Sequence, residues 1–229
     1  MELDLPQVRA ASDDVSDGPA RLLVLGGRAP DPDWLRAVAD GRETWAVDAG
    51  MDACVRADVC PSRLMGDLDS VSSAGRSWAA ARGVATDLWP KEKDATDFQL
   101  ALDLADGDVL VTGCWGGRFD HAWANAHVAI SVRGRGARVV CLADDREALF
   151  PLVGPAELRL SLRREASALS LLPMTETVRG TRARGVRWPL DGATLRQGST
   201  LSHGNVPRDG EEPVVSLDDG TLGVYLAFP

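Results

Sequence analysis

DVLVTGCWGGRFDHAWAN (Asp108–Asn125) begins as an apolar run, turns through Gly113, Gly116 and Gly117, and continues with a helical spacing of apolar residues. Val109–Val111 has no polar face, which suits a strand covered by helices on both sides of a sheet. A strand that passes through glycines straight into a helix is the repeating unit of a parallel α/β sheet. The glycines also let backbone amides approach an anion closely at a helix start. The loop is neither a Walker A sequence nor a G-x-G-x-x-G fingerprint. Arg118 offers a planar fork for phosphate oxygens, and Asp120 or His121 can orient it or touch a substrate. The competing account is a tight turn in which Asp120 caps the helix. Trp123 and His127 read as helix packing.

Working outward, the same rhythm recurs in both directions. Strands are predicted at Arg21–Gly27, Thr44–Asp48, Arg63–Asp67, Ala85–Leu88 and Ala137–Ala143. Helices are predicted at Trp34–Ala39, Ala74–Arg82, Thr96–Leu104 and from about His121 to Arg133. Residues 21–144 therefore predict a Rossmann-like α/β domain with a parallel sheet. Beyond Asp144 the runs are short, alternating and punctuated by Gly, Pro and Asp. Glu157–Leu162, Ala168–Leu172, Thr200–Val206, Val214–Leu217 and Thr221–Ala227 predict an antiparallel β-sandwich over residues 145–229. Residues 1–20 show no sustained period and read as a flexible acidic leader.

Carboxylates gather at the predicted strand ends. In MGDLDS (Met65–Ser70), a strand ends in Gly66 and presents Asp67 and Asp69, which in extended backbone project to the same side. Ligands of open α/β sheets bind beyond the carboxyl ends of the strands. Two hard oxygen donors there suit Mg²⁺, which takes one or two protein carboxylates and completes its shell with substrate phosphates. The alternative is that Asp69 or Ser70 merely caps the next helix. KEKDATD (Lys91–Asp97) precedes an apolar helix, and Asp94 and Asp97 have capping spacing. Lys91 and Lys93 are either solvated charges or phosphate contacts. Weaker signals lie in GGR (Gly26–Arg28) and DAG (Asp48–Gly50), where glycine after a strand usually marks only a turn.

Composition narrows the classes. The 229 residues carry a net charge of −9 and are 45% hydrophobic, which is ordinary for a globular chain. An acidic chain is unsuited to neutralising a nucleic-acid backbone, so no nucleic-acid partner is expected. An anionic substrate such as Mg·ATP would be met locally, by metal, glycine amides and a few arginines. Cys54, Cys60, Cys114 and Cys141 show no C-x-x-C spacing and the three histidines are scattered, so structural zinc is not expected. The cysteines read as buried thiols of a reducing compartment. No apolar run reaches the roughly 18 residues of a membrane span, and no signal pattern opens the chain. A cytoplasmic setting without membrane attachment is expected.

The ordered set DAG, GDLDS, KDATD and GCWGGRFDHAWAN resembles the thiamine pyrophosphokinase family, whose pattern runs D-G-G, G-D-x-D-S, K-D-x-T-D and G-x-x-G-G-R-x-D-H-x-x-x-N. The resemblance extends from about Leu22 to Leu226. It implies an enzyme that moves pyrophosphate from ATP to the hydroxyl of thiamine, giving thiamine diphosphate and AMP. It also implies a homodimer whose active sites are shared between subunits. Asp67, Asp69 and Asp97 match the acids that hold Mg²⁺ and the triphosphate and act in catalysis. Asp48, Gly50, Asp94, Thr96, Gly116, Gly117, Arg118, Asp120 and His121 match segments around ATP. GVRWPL (Gly185–Leu190) resembles the segment whose aromatic lies against thiamine, which points to Trp188; the alternative for Trp188 is a core residue. The family's Ser-Asn pair on the thiamine pyrimidine corresponds to Ser202 and Asn205, here separated by His203 and Gly204 in LSHGN (Leu201–Asn205). DAG likewise departs from D-G-G. These departures leave room for another alcohol acceptor, such as a hydroxymethylpterin, on the same fold. A non-catalytic nucleotide or thiamine sensor is the other alternative.

Overall fold

The computed structural model describes residues 2–13, 20–131 and 136–229. In chain order the elements begin with two short strands, β1 (Glu2–Asp4) and β2 (Val8–Ser12). There follow β3 (Arg21–Val24), α1 (Pro32–Ala39), β4 (Thr44–Val47), α2 (Gly50–Ala57), β5 (Arg63–Gly66) and α3 (Ser73–Ala81). Then come β6 (Ala85–Leu88), α4 (Asp97–Leu104), β7 (Gly107–Thr112), α5 (Phe119–Ser131) and β8 (Ala137–Ala143). The chain divides into two compact units, residues 18–144 and residues 145–229 together with 1–17.

Within residues 18–144, the parallel strands lie in the order β8-β7-β3-β4-β5-β6. From β3 the chain steps outward through β4, β5 and β6, then returns to place β7 on the other flank of β3. This reversal between β3 and β7 is a topological switch point, where the loops leaving two neighbouring strands diverge and open a crevice. Leu22, Leu23, Val24, Val109, Leu110 and Val111 are all fully buried, as expected for central strands covered on both faces. Helix α1 is entered through Asp31, whose carboxylate accepts from Asp33 N and Trp34 N, and it buries Trp34, Leu35 and Val38. Helix α2 is not apparent from the sequence. Its N-cap is Ala49, which offers no capping oxygen, and Gly50 is required because a Cβ there would run into the Val24 carbonyl.

The second unit adds β9 (Glu147–Val153), β10 (Ala156–Leu162), β11 (Ala168–Pro173), β12 (Thr177–Arg184), β13 (Leu190–Arg196), β14 (Val214–Leu217) and β15 (Thr221–Ala227). Six strands form one antiparallel sheet, β1-β2-β10-β14-β12-β13, and β11, β15 and β9 pair antiparallel with one another. The expected flexible leader is corrected here for residues 2–12. Val8 and Ala10 point inward at 0% and 1% exposure, and β2 pairs with β10 in the register Ala10↔Leu160. A strand of three residues and one of five are too short to show a period; β1 pairs with β2, and β10, the strand on the other side of β2, lies some 150 residues along the chain. Residues 1 and 14–19 of the leader and 132–133 of the expected α5 lie outside the described residues.

Strand expectations fail where alternation is broken. Thr200–Val206 is not a strand: Ser202 and Gly204 both take left-handed backbone, and only Asn205 bridges to Leu169. Conversely β9 is missed because Pro151 interrupts it, and β12 because Gly180 and two register shifts break its period.

Candidate active site

The loops leaving β3 and β7 interlock at the switch point. Gly27 N donates to Gly113 O at 2.8 Å and Arg28 N to Trp115 O at 2.5 Å. At Gly113, φ is +66° and a Cβ would meet the Leu25 carbonyl, so glycine is the residue that lets the two loops close. They line a cleft of about 400 Å³ with Asp48, Ser70, Thr96, Asp97, Arg118, His121 and Asn125. Asn125 reaches back from α5 to donate to Cys114 O at 3.1 Å, tying helix to loop. A larger cavity of about 900 Å³ lies among residues 161–167 and 206–212 of the other unit, where arginines and acids alternate around the rim. None of the sequence-predicted site residues lines that larger cavity.

The acids converge unequally. Asp48 takes left-handed backbone, φ +47°, at the end of β4, and its Oδ1 accepts from Leu68 N at 3.2 Å. Gly66 lies against this carboxylate at φ +132°, where any Cβ would overlap it. Burial, with the Asp97 and Asp67 charges, pushes the Asp48 carboxyl up to about 7. Lys93 Nζ lies 3.1 Å from Asp97 Oδ1 and 3.9 Å from Asp67 Oδ2, all three side chains being at most 20% exposed. Asp97 Oδ1 is nonetheless without a hydrogen bond among the described residues. The Lys93 contact is thus an ion pair lacking hydrogen-bond alignment.

Asp69 stands apart. Leu68 has φ +62°, so the segment after β5 is not extended and Asp67 and Asp69 do not share a strand face, contrary to expectation. Instead Asp67 Oδ1 accepts from Asp69 N at 3.0 Å in a tight turn, and Asp69 pairs with Lys91 at 2.6 Å. That bond holds the Asp69 carboxyl below its ordinary range. Asp94 is exposed and caps nothing: Thr96 is the N-cap of α4, accepting from Gln99 N. The capping account of Asp94 is corrected accordingly, since the helix begins two residues later than an Asp94 cap requires.

Among the described residues, no three His, Cys, Asp or Glu side chains are arranged to hold a metal ion by themselves. The donor chemistry still fits a divalent cation completed by phosphate. Asp48, Asp67 and Asp97 crowd negative charge that raises one member toward neutrality, and Asp97 keeps an oxygen without a hydrogen bond.

At the start of α5, Arg118 forms a two-pronged pair with Asp120 at 3.1 and 2.5 Å. This pair holds the Asp120 carboxyl below its usual range and sets the guanidinium at the rim of the cleft. Trp123 does not pack inward as expected. It is 60% exposed and lies tilted between Phe119 and His127 at ring separations of 6.1 and 4.8 Å. Of the cysteines, none is in a disulfide and Cys60 is exposed, not buried, because it follows α2 on a surface turn.

Trp188 and Asn205, 17 residues apart, are brought together in the other unit. Trp188 is 55% exposed, which removes the core account of it, and the Arg187 guanidinium lies 4.9 Å from its ring centre. Asn205 is buried and hydrogen-bonds the Trp188 backbone. Ser202 has φ +73°, and its Oγ has no hydrogen-bond partner among the described residues. A strained residue with an unused hydroxyl is the kind of feature that collects at ligand sites.

Two family profiles match the chain in sequence order: "Thiamin pyrophosphokinase, catalytic domain" over residues 37–141, and "Thiamin pyrophosphokinase, vitamin B1 binding domain" over residues 156–222. The chain belongs to the thiamine pyrophosphokinase family. A thiamine pyrophosphokinase of Bacillus subtilis is 27% identical over 196 residues, covering 83% of this chain and 86% of that protein. Thiamine pyrophosphokinase 1 of Oryza sativa is also 27% identical, over 92% of this chain and 88% of its own length. In structure, the crystallised B. subtilis thiamine pyrophosphokinase superposes with a TM-score of 0.80 at 23% identity, over 92% of this chain and 99% of that one. Yeast thiamin pyrophosphokinase does so at 0.71 and 14% identity, over 94% and 88%.

Three further side chains take places at the site that spacing alone does not give. Arg28 lies before the catalytic-domain match, and it donates to the fully buried Asp144 at 2.9 and 2.6 Å, bracing the glycine loops from behind. By sequence Lys93 is either a solvated charge or a phosphate contact; at 14% exposure among the acids it is not a solvated surface charge. Asn125 was visible as the last letter of the glycine-loop motif, but its bond to Cys114 O needed the helix in place.

Proposed function

We propose that this chain is a thiamine pyrophosphokinase. The thiamine hydroxyl oxygen bonds to the β-phosphorus of ATP as the bond from that phosphorus to the α-bridging oxygen breaks. AMP leaves, and the hydroxyl proton passes to a carboxylate of the cluster. What carries this reading is the coincidence of the family's catalytic-domain match with an acid cluster at the switch-point cleft. The glycine loops would receive the triphosphate on their backbone amides, and Arg118, held by Asp120, would grip its oxygens. Asp67 and Asp97, with Asp48 beside them, would hold Mg²⁺, while Asp69, paired with Lys91, stands at the rim. Bound there, the ion would neutralise phosphate charge as it develops. Lys93 lies between Asp67 and Asp97 and offsets the repulsion of their charges. The rate advantage then comes from alignment and charge, since phosphoryl-type transfer asks little covalent chemistry of the protein.

For the acceptor, Trp188 offers an exposed indole face to a cationic ring and Ser202 an unused hydroxyl. We take the enzyme to be a homodimer. Helix α5 supports this: its only fully buried residue is Ala129, while Phe119 and Trp123 stand 79% and 60% exposed along one face. The absence of disulfides, with a thiol exposed at Cys60, accords with a cytoplasmic setting. No helix of the described residues is long and apolar enough to cross a membrane.

Purified protein given ATP, Mg²⁺ and thiamine should release AMP in step with thiamine diphosphate. Formation of ADP would overturn the reaction, and turnover with a hydroxymethylpterin in place of thiamine would overturn the acceptor. Sedimentation should give twice the chain mass; a monomer at working concentration would refute the dimer.

A further inference from the structure

Asn205 is 2% exposed, and its amide is spent on neighbouring backbone. Oδ1 accepts from Trp188 N at 3.1 Å and from Val206 N at 2.9 Å, while Nδ2 donates to Trp188 O at 2.7 Å. One side chain therefore binds both backbone groups of Trp188, as a paired strand would, in a place where no strand runs. Arg187 N donates to Val206 O at 2.9 Å just before it, and Val186 bridges Pro207. Asn205 is itself fastened from behind, because Leu169 N in β11 donates to Asn205 O at 2.6 Å. The path runs from the buried strand β11 through Asn205 to an indole that is 55% exposed.

An exposed tryptophan on a loop has little packing to fix its angle. Bonding both its N–H and its C=O to one rigid amide constrains the backbone on either side of Cα and hence the direction in which the ring leaves. Such satisfied, buried polar contacts are strong because the groups cannot fall back on water. Arg187 places its guanidinium over the ring, 4.9 Å from the centroid. A second cation is repelled from that face, which leaves the opposite face for a cationic ligand.

We infer that Asn205 is a positioning residue for the acceptor: it fixes the backbone of Trp188 so that the indole face not covered by Arg187 is presented at a set angle. This rests on Trp188 being the aromatic that receives thiamine. The resemblance to the family alone would instead put Asn205 against the ligand, and its burial and its three backbone bonds argue against that role.

A double-mutant cycle on the purified full chain separates the possibilities. Trp188→Ala should raise the thiamine KM about tenfold, the size of a lost stacking contact. Asn205→Ala should raise it by at least about fivefold, with kcat at saturating thiamine and the KM for ATP within about twofold of wild type. The double variant should be no worse than Trp188→Ala alone, since nothing is left to position. Multiplying effects would show that Asn205 acts on the ligand independently and would overturn the inference, as would an unchanged KM in Asn205→Ala. An unchanged KM in Trp188→Ala would remove the acceptor reading itself, and the inference with it. Should Asn205→Ala not fold, Asn205→Ser, which keeps an oxygen for one N–H, goes through the same cycle with the same criteria.

Discussion

The acid cluster beside Gly66 and the tryptophan segment held by Asn205 fix their working groups by opposite means. In the cluster, like charges are pressed together, one carboxyl is driven up to about 7, and a buried lysine stands between two others. In the segment, the neutral amide of Asn205 is matched to both backbone groups of Trp188, and the ring it serves is 55% exposed. The first arrangement is poised, because added positive charge relieves it and phosphate can then be drawn in. The second is finished before any ligand arrives. Damage to the cluster should therefore appear in turnover, and damage to the segment in acceptor affinity.

The sharpest way to break that contrast is Asp97→Asn, which removes charge without changing volume. Turnover should fall by at least about a hundredfold while the melting temperature holds, because repulsion with Asp48 is also removed. Near-normal kcat would take Asp97 out of the chemistry.

Next in size is Trp188→Ala, with its roughly tenfold rise in thiamine KM. At 55% exposure the truncation should cost little stability, within about 1 kcal/mol by denaturant unfolding. A loss of several kcal/mol would mean the indole is packed in solution.

A smaller effect tests the strain in the cluster. The Asp48 carboxyl titrates near 7 in the folded chain against an ordinary 3.8, so the folded state holds that proton the more firmly. Its stabilising contribution is complete below about pH 4 and is lost as pH rises through 7. The melting temperature of metal-free Asp48→Asn should therefore gain on wild type between pH 5 and pH 8, and Mg²⁺ should narrow the gap. A constant gap would deny the repulsion.

The smallest effect belongs to Lys91→Met. The Lys91–Asp69 pair is 75% and 52% exposed, so the chemical-denaturation midpoint should stay where it is in wild type. A large loss would place Asp69 with the buried acids and not at the rim.

The parallel domain was legible because each strand and the helix after it announce themselves locally, as Val109–Val111, the glycines and the helix spacing do over 18 residues. Motif order likewise exposed Asp67, Asp97 and Arg118, whose chemistry depends on residue type and position along the chain. Helix α2 was hidden because its start rests on a left-handed Asp48 and on Gly50 under a carbonyl, neither of which is a capping signal. Strands β1 and β2 were hidden because they are three and five residues long and the strand that ties them into the sheet, β10 beside β2, lies far along the chain.

Within the site, sequence by itself determined which charges are available. Tertiary structure alone decided that Asp67 turns in while Asp69 turns out, since the left-handed Leu68 overrides strand alternation. It also decided that Lys93 is enclosed while Lys91 is solvated, and that Asn205 serves the backbone of a residue 17 positions away. Burial and hydrogen-bond partnership are properties of what surrounds a side chain in space, and a linear spacing does not carry them.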